Sequence, residues 1–189
     1  RLIVDKAIRG AFEAALVAAT RALRIGDPRE EATRIGPLVS RERQERIAAL
    51  LSSPSGGRIL CGGGIPAAFA QGCWLEPAIV ADPDPASAIV REESFGPVAV
   101  LLEAGGVEEA LALANGVEHG LVASLFSNDP RHREFFLAQA QAGMLAINQA
   151  RPAFEAAAPF GGWKRSGHGP PEHGRWDREF YSRPQAVYG

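Results

Sequence analysis

Between residues 97 and 148 the sequence switches repeatedly between two periods, and this alternation constrains the fold more than any other feature. PVAVLLEA (97–104) is an unbroken apolar run of strand length. VEEALALAN (107–115) has helical spacing and stops at Gly116. LVASLFS (121–127) is again strand-like, and Asp129-Pro130 then supplies a capping carboxylate and a first-turn proline for a helix to about residue 142. MLAIN (144–148) closes the series. Strand, helix, strand, helix, strand in this order predicts an α/β fold whose mostly parallel sheet is flanked by helices.

The first hundred residues are less regular. Ile8, Phe12, Ala15, Leu16, Ala19 and Leu23 recur at three and four, which predicts a helix over 3–23 ended by Gly26-Asp27-Pro28. Ser40 is placed to cap a second helix over 41–52. RILC (58–61) reads as a short strand stopped by three glycines. CWLEPAIVA (73–81) reads as extended, and Pro77, which has no N–H to donate, predicts an edge or irregular strand. Residues 149–175 are rich in Gly, Pro and Ala, and 179–188 read as a final extended segment.

Composition narrows the function classes. With 189 residues and 46% apolar content the chain can bury a core. The 20 basic and 22 acidic side chains leave a net charge of −2, which argues against nucleic acid and anionic membranes as partners. No window approaches a membrane span, and nothing resembles a signal peptide. Residue 1 is Arg rather than Met, so it is not expected to be the natural start. Cys61 and Cys73 are too few for a disulfide scaffold and sit in no metal-ligand spacing. Reduced, structural thiols in a cytoplasmic protein are the expectation.

Three loops could carry chemistry, because ligands in α/β sheets bind near the carboxyl ends of strands. REESFGP (91–97) places a carboxylate pair and an aromatic ring at the mouth of an apolar strand. Physical chemistry alone favours a solvated loop there, with Phe95 in the core. The loop 149–158 and PFGGWKRSGHG (159–169) are the others. The second has the look of a phosphate cradle but lacks the required glycine spacing, so it reads as a tight buried turn with glycines at unusual dihedrals. His119, His132, His168 and His173 show no metal spacing and read as surface residues.

Taken together, these loops resemble the aldehyde dehydrogenase superfamily. REESFGPV, ALANGVEHGL, AGMLAIN and APFGGWKRSGHG appear in the order and spacing of that family's carboxyl-terminal, catalytic-domain half. RLIV, GDP (26–28), IGPLVS (35–40) and GGG (62–64) also fall where the family has them. The resemblance implies oxidation of an aldehyde to an acid with NAD or NADP. It implies that Glu93 binds the nicotinamide ribose hydroxyls, that Phe95 packs beside the nicotinamide, and that Phe160 lines the aldehyde tunnel. It divides the chain into a catalytic-domain portion, 1–166, and a tail with an oligomerisation strand, 167–189.

The departures matter equally. The family's nucleophilic Cys precedes the position matched by Arg1, and its general-base Glu and cofactor domain lie further upstream. The catalytic residues are therefore expected outside this chain, in a missing amino-terminal half, and the chain alone is expected to be inactive. The helix position that reaches the cofactor carries Arg41, Arg43 and Arg46, which could face cofactor phosphates or solvent. Where the family often has R-E-L-G, this chain has Pro171-Glu172-His173-Gly174 preceded by Pro170, and Glu172 is given no role. Arg151, the one cation of QARPAFEAA (149–157), is expected to bind a carboxylate on an acidic semialdehyde. The partners expected are a small aldehyde and, through the last strand, further copies in a homodimer or tetramer. The alternative is a natural pseudoenzyme or a binding and assembly module of the same fold.

Overall fold

The computed structural model describes residues 1–149 and 155–189, in two compact units, Arg1–Ala110 and Leu111–Gly189. The first contains β1 (Leu2–Asp5), α1 (Arg9–Arg21), α2 (Arg41–Leu51), β2 (Arg58–Cys61), β3 (Ala78–Ala81), α3 (Ala88–Arg91) and β4 (Val98–Ala104). Helix α4 (Val107–Asn115) crosses the division. The second unit continues with β5 (His119–Gly120), β6 (Val122–Leu125), α5 (Pro130–Gln139), β7 (Met144–Ile147), β8 (Trp163–Lys164) and α6 (Asp177–Phe180).

The first unit is built on a four-stranded sheet in the order β1-β4-β3-β2. Strand β4 runs parallel to β1, with Leu101 opposite Leu2, and parallel to β3, with Val98 opposite Ala78. Only β2 is antiparallel, and its register against β3 shifts between Ile59 and Cys61. The mostly parallel α/β class predicted from the sequence is what forms. Leu101, Val80, Leu75 and Ile47 are the largest fully buried side chains. Helix α1 packs on β1, β2 and β3 and buries one cation, Arg9, which meets Glu13 at 3.1 Å and Asp82 at 2.9 Å. A buried guanidinium needs such partners, because its desolvation is otherwise uncompensated.

The second unit pairs β6 with β7 in parallel, Val122 opposite Met144, and covers them with α4 and α5 through Leu111, Phe136 and Ala140. Asn148 joins the two strand ends: its Nδ2 donates to Ser127 O at 3.0 Å, and Ser127 N donates to its Oδ1 at 2.9 Å. Lys164 donates its Nζ to the carbonyls of Asn115 and Val117, at 2.6 and 3.0 Å, where the carbonyls of the helix end favour a cation.

Several expectations are corrected. Residues 2–5 are a strand, not the start of a helix, because Leu2, Ile3 and Val4 find a parallel partner in β4; helical spacing takes over only from Arg9. Strand β3 is interior rather than an edge, since Pro77 ends just before the ladder and its missing N–H costs no bond. Helix α5 stops at Gln139, where Ala140 turns extended. Strands β6 and β7 do not extend the first sheet. They pair with each other as a separate two-stranded sheet, Val122–Leu125 against Met144–Ile147. The segment 179–188 begins inside the helical turn α6, and its remainder joins no ladder within the chain among the described residues. The glycine loop is a tight turn, but half-buried to exposed rather than buried; Gly169 has the unusual φ expected, 87°, whereas Gly161, Gly162 and Gly167 do not have left-handed dihedrals. They are required for close approach instead: a Cβ on Gly167 would overlap the carbonyl of Gly162.

Candidate functional site

Helix α2 is the platform for the REESFGP loop. Ser40 caps it as predicted, its hydroxyl accepting from Arg43 N at 3.2 Å. Buried Gln44 donates to Trp74 O at 2.7 Å and fixes the helix to the chain on its inner side. Ile47, 0% exposed, points into the loop's base. Gly96 lies so close to it that a Cβ would overlap Ile47 Cδ1. The loop thus rests backbone-first on α2, and Gly is the residue that allows this approach.

The loop's side chains point the other way. Helix α3 ends as Glu92 turns extended, with Glu92 N donating to Ala88 O at 2.8 Å. Glu92 pairs with Arg46 of α2 at 2.8 Å. Glu93 is exposed and has no ion pair among the described residues. Phe95 adopts a left-handed φ of 51°, uncommon for an aromatic residue, and holds its ring 66% exposed. The Arg43 guanidinium lies 5.3 Å from the ring centroid, within cation–π range.

This geometry sorts the acidic pair. Glu92 is a structural tie, and Glu93 is the carboxylate available to a ligand. It also corrects one expectation from the residues alone: Phe95 is not core. Arg46 is exposed, as a solvated helix face has it, and reaches Glu92 from there, while half-buried Arg43 lies over the Phe95 ring. A sequence reader has one signal for this, the three-residue spacing that puts both arginines on one side of α2.

Phe160 belongs to the second unit and is half-buried. Its backbone pairs with Glu172 in both directions, at 2.8 and 2.9 Å. This gives Glu172 a positioning role through its main chain. His173 is not a surface residue: it is half-buried, and its ring stacks on Phe160 with centroids 5.4 Å apart. Arg151 lies outside the described residues. The structure therefore brings Glu93 and Phe95 together on one loop, and describes Phe160 within the other unit. Among the described residues no group of three His, Cys, Asp or Glu could hold a metal ion. Among the same residues no helix is long and apolar enough to cross a membrane.

A family profile described as "Aldehyde dehydrogenase family" matches residues 1–187. The chain belongs to the aldehyde dehydrogenase family. A betaine aldehyde dehydrogenase from Cereibacter sphaeroides is 40% identical over 190 aligned residues, covering 100% of this chain and 38% of the relative. The betaine aldehyde dehydrogenase of Brucella melitensis is 38% identical over 192, with 39% of its own length covered. The chain thus spans well under half the length of these relatives. Among solved structures, an NAD-dependent aldehyde dehydrogenase from Sinorhizobium meliloti superposes with a TM-score of 0.89 at 34% identity, over 97% of this chain and 36% of that one. A Mycobacterium tuberculosis aldehyde dehydrogenase complexed with NAD+ superposes at 0.88 and 31% identity, over 96% of this chain and 37% of that one. The aldehyde dehydrogenase motifs around Glu93, Phe95 and Phe160 all fall inside the matched span.

Proposed function

We propose that this chain is part of an NAD(P)-dependent aldehyde dehydrogenase that oxidises an aldehyde to a carboxylic acid, residues 1–166 forming catalytic domain and 167–189 the assembly tail. The observation that carries the cofactor assignment is the REESFGP loop, with its unpaired carboxylate beside a projecting ring. These groups fit a nicotinamide nucleotide. Glu93 accepts hydrogen bonds from the ribose hydroxyls, two acceptor oxygens meeting two donors. Phe95 presents a flat apolar wall that keeps water off one side of the nicotinamide. When bound, NAD supplies the hydride acceptor. The complexes of related enzymes with NAD+ support it over NADP. Residues 182–189 leave Val187 and Tyr188 almost fully exposed, which suits a segment that pairs with another copy.

The test is Glu93→Gln in the complete dehydrogenase. Loss of one charge-assisted pair should raise the KM for NAD about ten-fold, with kcat changed much less. An unchanged KM removes Glu93 from the cofactor site. A complete protein that reduces no NAD with any aldehyde favours the pseudoenzyme reading instead.

Phe160, and Arg151 before it, are assigned to the aldehyde. A guanidinium suits a carboxylate, which supports an acidic semialdehyde. The relatives' substrate, betaine aldehyde, carries a fixed positive charge that the same guanidinium would repel. Arg151→Ala should therefore lower kcat/KM for an anionic semialdehyde about ten-fold and leave betaine aldehyde unaffected or improved. The opposite ranking would overturn the assignment of Arg151.

A further inference from the structure

We infer that Arg43 is a positioning residue for Phe95, its guanidinium holding the ring that the loop presents to the cofactor, an inference that rests on the cofactor reading of REESFGP. Arg43 stands in the first turn of α2, three residues after the Ser40 cap. A cation there opposes the helix dipole, whose amino-terminal end is positive. Among the described residues its guanidinium has no carboxylate partner. The side chain is half-buried, so its charge is also partly desolvated. Against these unfavourable features stands one contact: the guanidinium lies over the Phe95 ring, 5.3 Å from its centroid. Partial desolvation strengthens such a contact, and a planar, weakly hydrated guanidinium suits an aromatic face.

Phe95 needs a hold of this kind. Its φ of 51° lies in the left-handed region, which a bulky residue keeps only where the surroundings fix it. Its ring is 66% exposed, so core packing does not set its rotamer. The loop backbone is tied to α2 on both sides of Glu93. Before it, Glu92 pairs with Arg46 at 2.8 Å. After it, Gly96 lies against Ile47. These ties fix the main chain, and the guanidinium over the ring fixes the side chain. Arg43 and Arg46, on one side of α2, thus hold Phe95 and Glu92, with Glu93 between them left for a ligand. A ring held before the cofactor arrives removes part of the ordering that binding would otherwise cost.

The experiment is a double-mutant cycle in the complete dehydrogenase, read as the equilibrium dissociation constant for NAD. Arg43→Ala should raise that constant about five-fold, the size of one cation–π contact. In a Phe95→Leu background the same substitution should change it less than about two-fold, because the ring through which Arg43 acts is gone. Alanine is a strong helix former and relieves the dipole, so Arg43→Ala should melt within a few degrees of the wild type. Crystal structures supply a readout that needs no cofactor: Phe95 should occupy more than one rotamer in Arg43→Ala and one in the wild type. A single, unmoved Phe95 ring in Arg43→Ala overturns the inference. An unchanged dissociation constant in Arg43→Ala overturns it as well. So does an equal rise in both backgrounds, since the guanidinium would then meet the cofactor directly and not through Phe95. A wild type that binds no NAD, with the ring still freed in Arg43→Ala, counts against the cofactor reading of the loop and leaves the positioning role standing.

Discussion

Single residues here do work that their type alone does not announce. Asp129 is an example with a pH signature. Its carboxylate is held down to about 2, against a usual 3.8, first by the Arg131 side chain and then by the Arg131 N–H that it caps at 2.8 Å. A carboxyl group whose pKa falls on folding contributes stability that is complete above its unfolded value and is lost as pH falls through its folded value. The contribution should thus be intact above about pH 4 and disappear towards pH 2. Acid titration followed by circular dichroism should show Asp129→Asn less stable than the wild type at neutral pH, with the two converging near pH 2. A constant gap down to pH 2 would mean that the carboxylate charge is not what the cap contributes. The sequence announces this cap, because Asp followed by Pro at the start of a helix has one clear reading. It does not announce His173, because nothing in its neighbours' identity reveals a positive φ or a stack across thirteen residues.

At the scale of elements, what could be read from sequence was what local spacing decides. Helices α2 and α4 lie where local spacing predicts, and α5 starts at its predicted cap although it ends early, at Gln139. Strands β1 and β3 were misjudged because pairing decides them: Leu2–Asp5 is a strand only because β4 offers an edge. The junction of α2 with the REESFGP loop depends on one missing atom. Gly96→Ala would drive a Cβ into Ile47 Cδ1, the end of a fully buried side chain that must shift to admit it. Overpacking of this kind costs about 1–3 kcal/mol. The variant should melt several degrees lower and, because the loop must lift from α2, should also weaken cofactor binding. Arg46→Met, which removes only a half-exposed ion pair, should cost no more than about 1 kcal/mol. Equal melting temperatures for Gly96→Ala and the wild type would show that the loop has freedom this contact denies.

For the whole molecule, the first compact unit carries Glu93 and Phe95 and the second carries Phe160. The family and its fold were legible because four motifs recur in order; the division at residue 110 was not, since α4 runs through it without a break in composition. The two thiols sit in different surroundings. Cys61 is buried in β2, opposite Ile79 of β3. Cys73 is half-buried, and its carbonyl accepts from Leu38 N at 2.7 Å. Neither sulfur has a hydrogen bond among the described residues, so no hydrogen-bonded base serves either thiol there. The 189-residue polypeptide, purified alone and given aldehyde and NAD, should therefore form no NADH. It should also be insensitive to replacement of both cysteines by serine. Activity that survives in the wild type and vanishes with Cys73→Ser would overturn the structural reading of that thiol. Activity that returns only when a polypeptide bearing an activated Cys is added would place the chemistry outside this chain and the cofactor-binding loop within it.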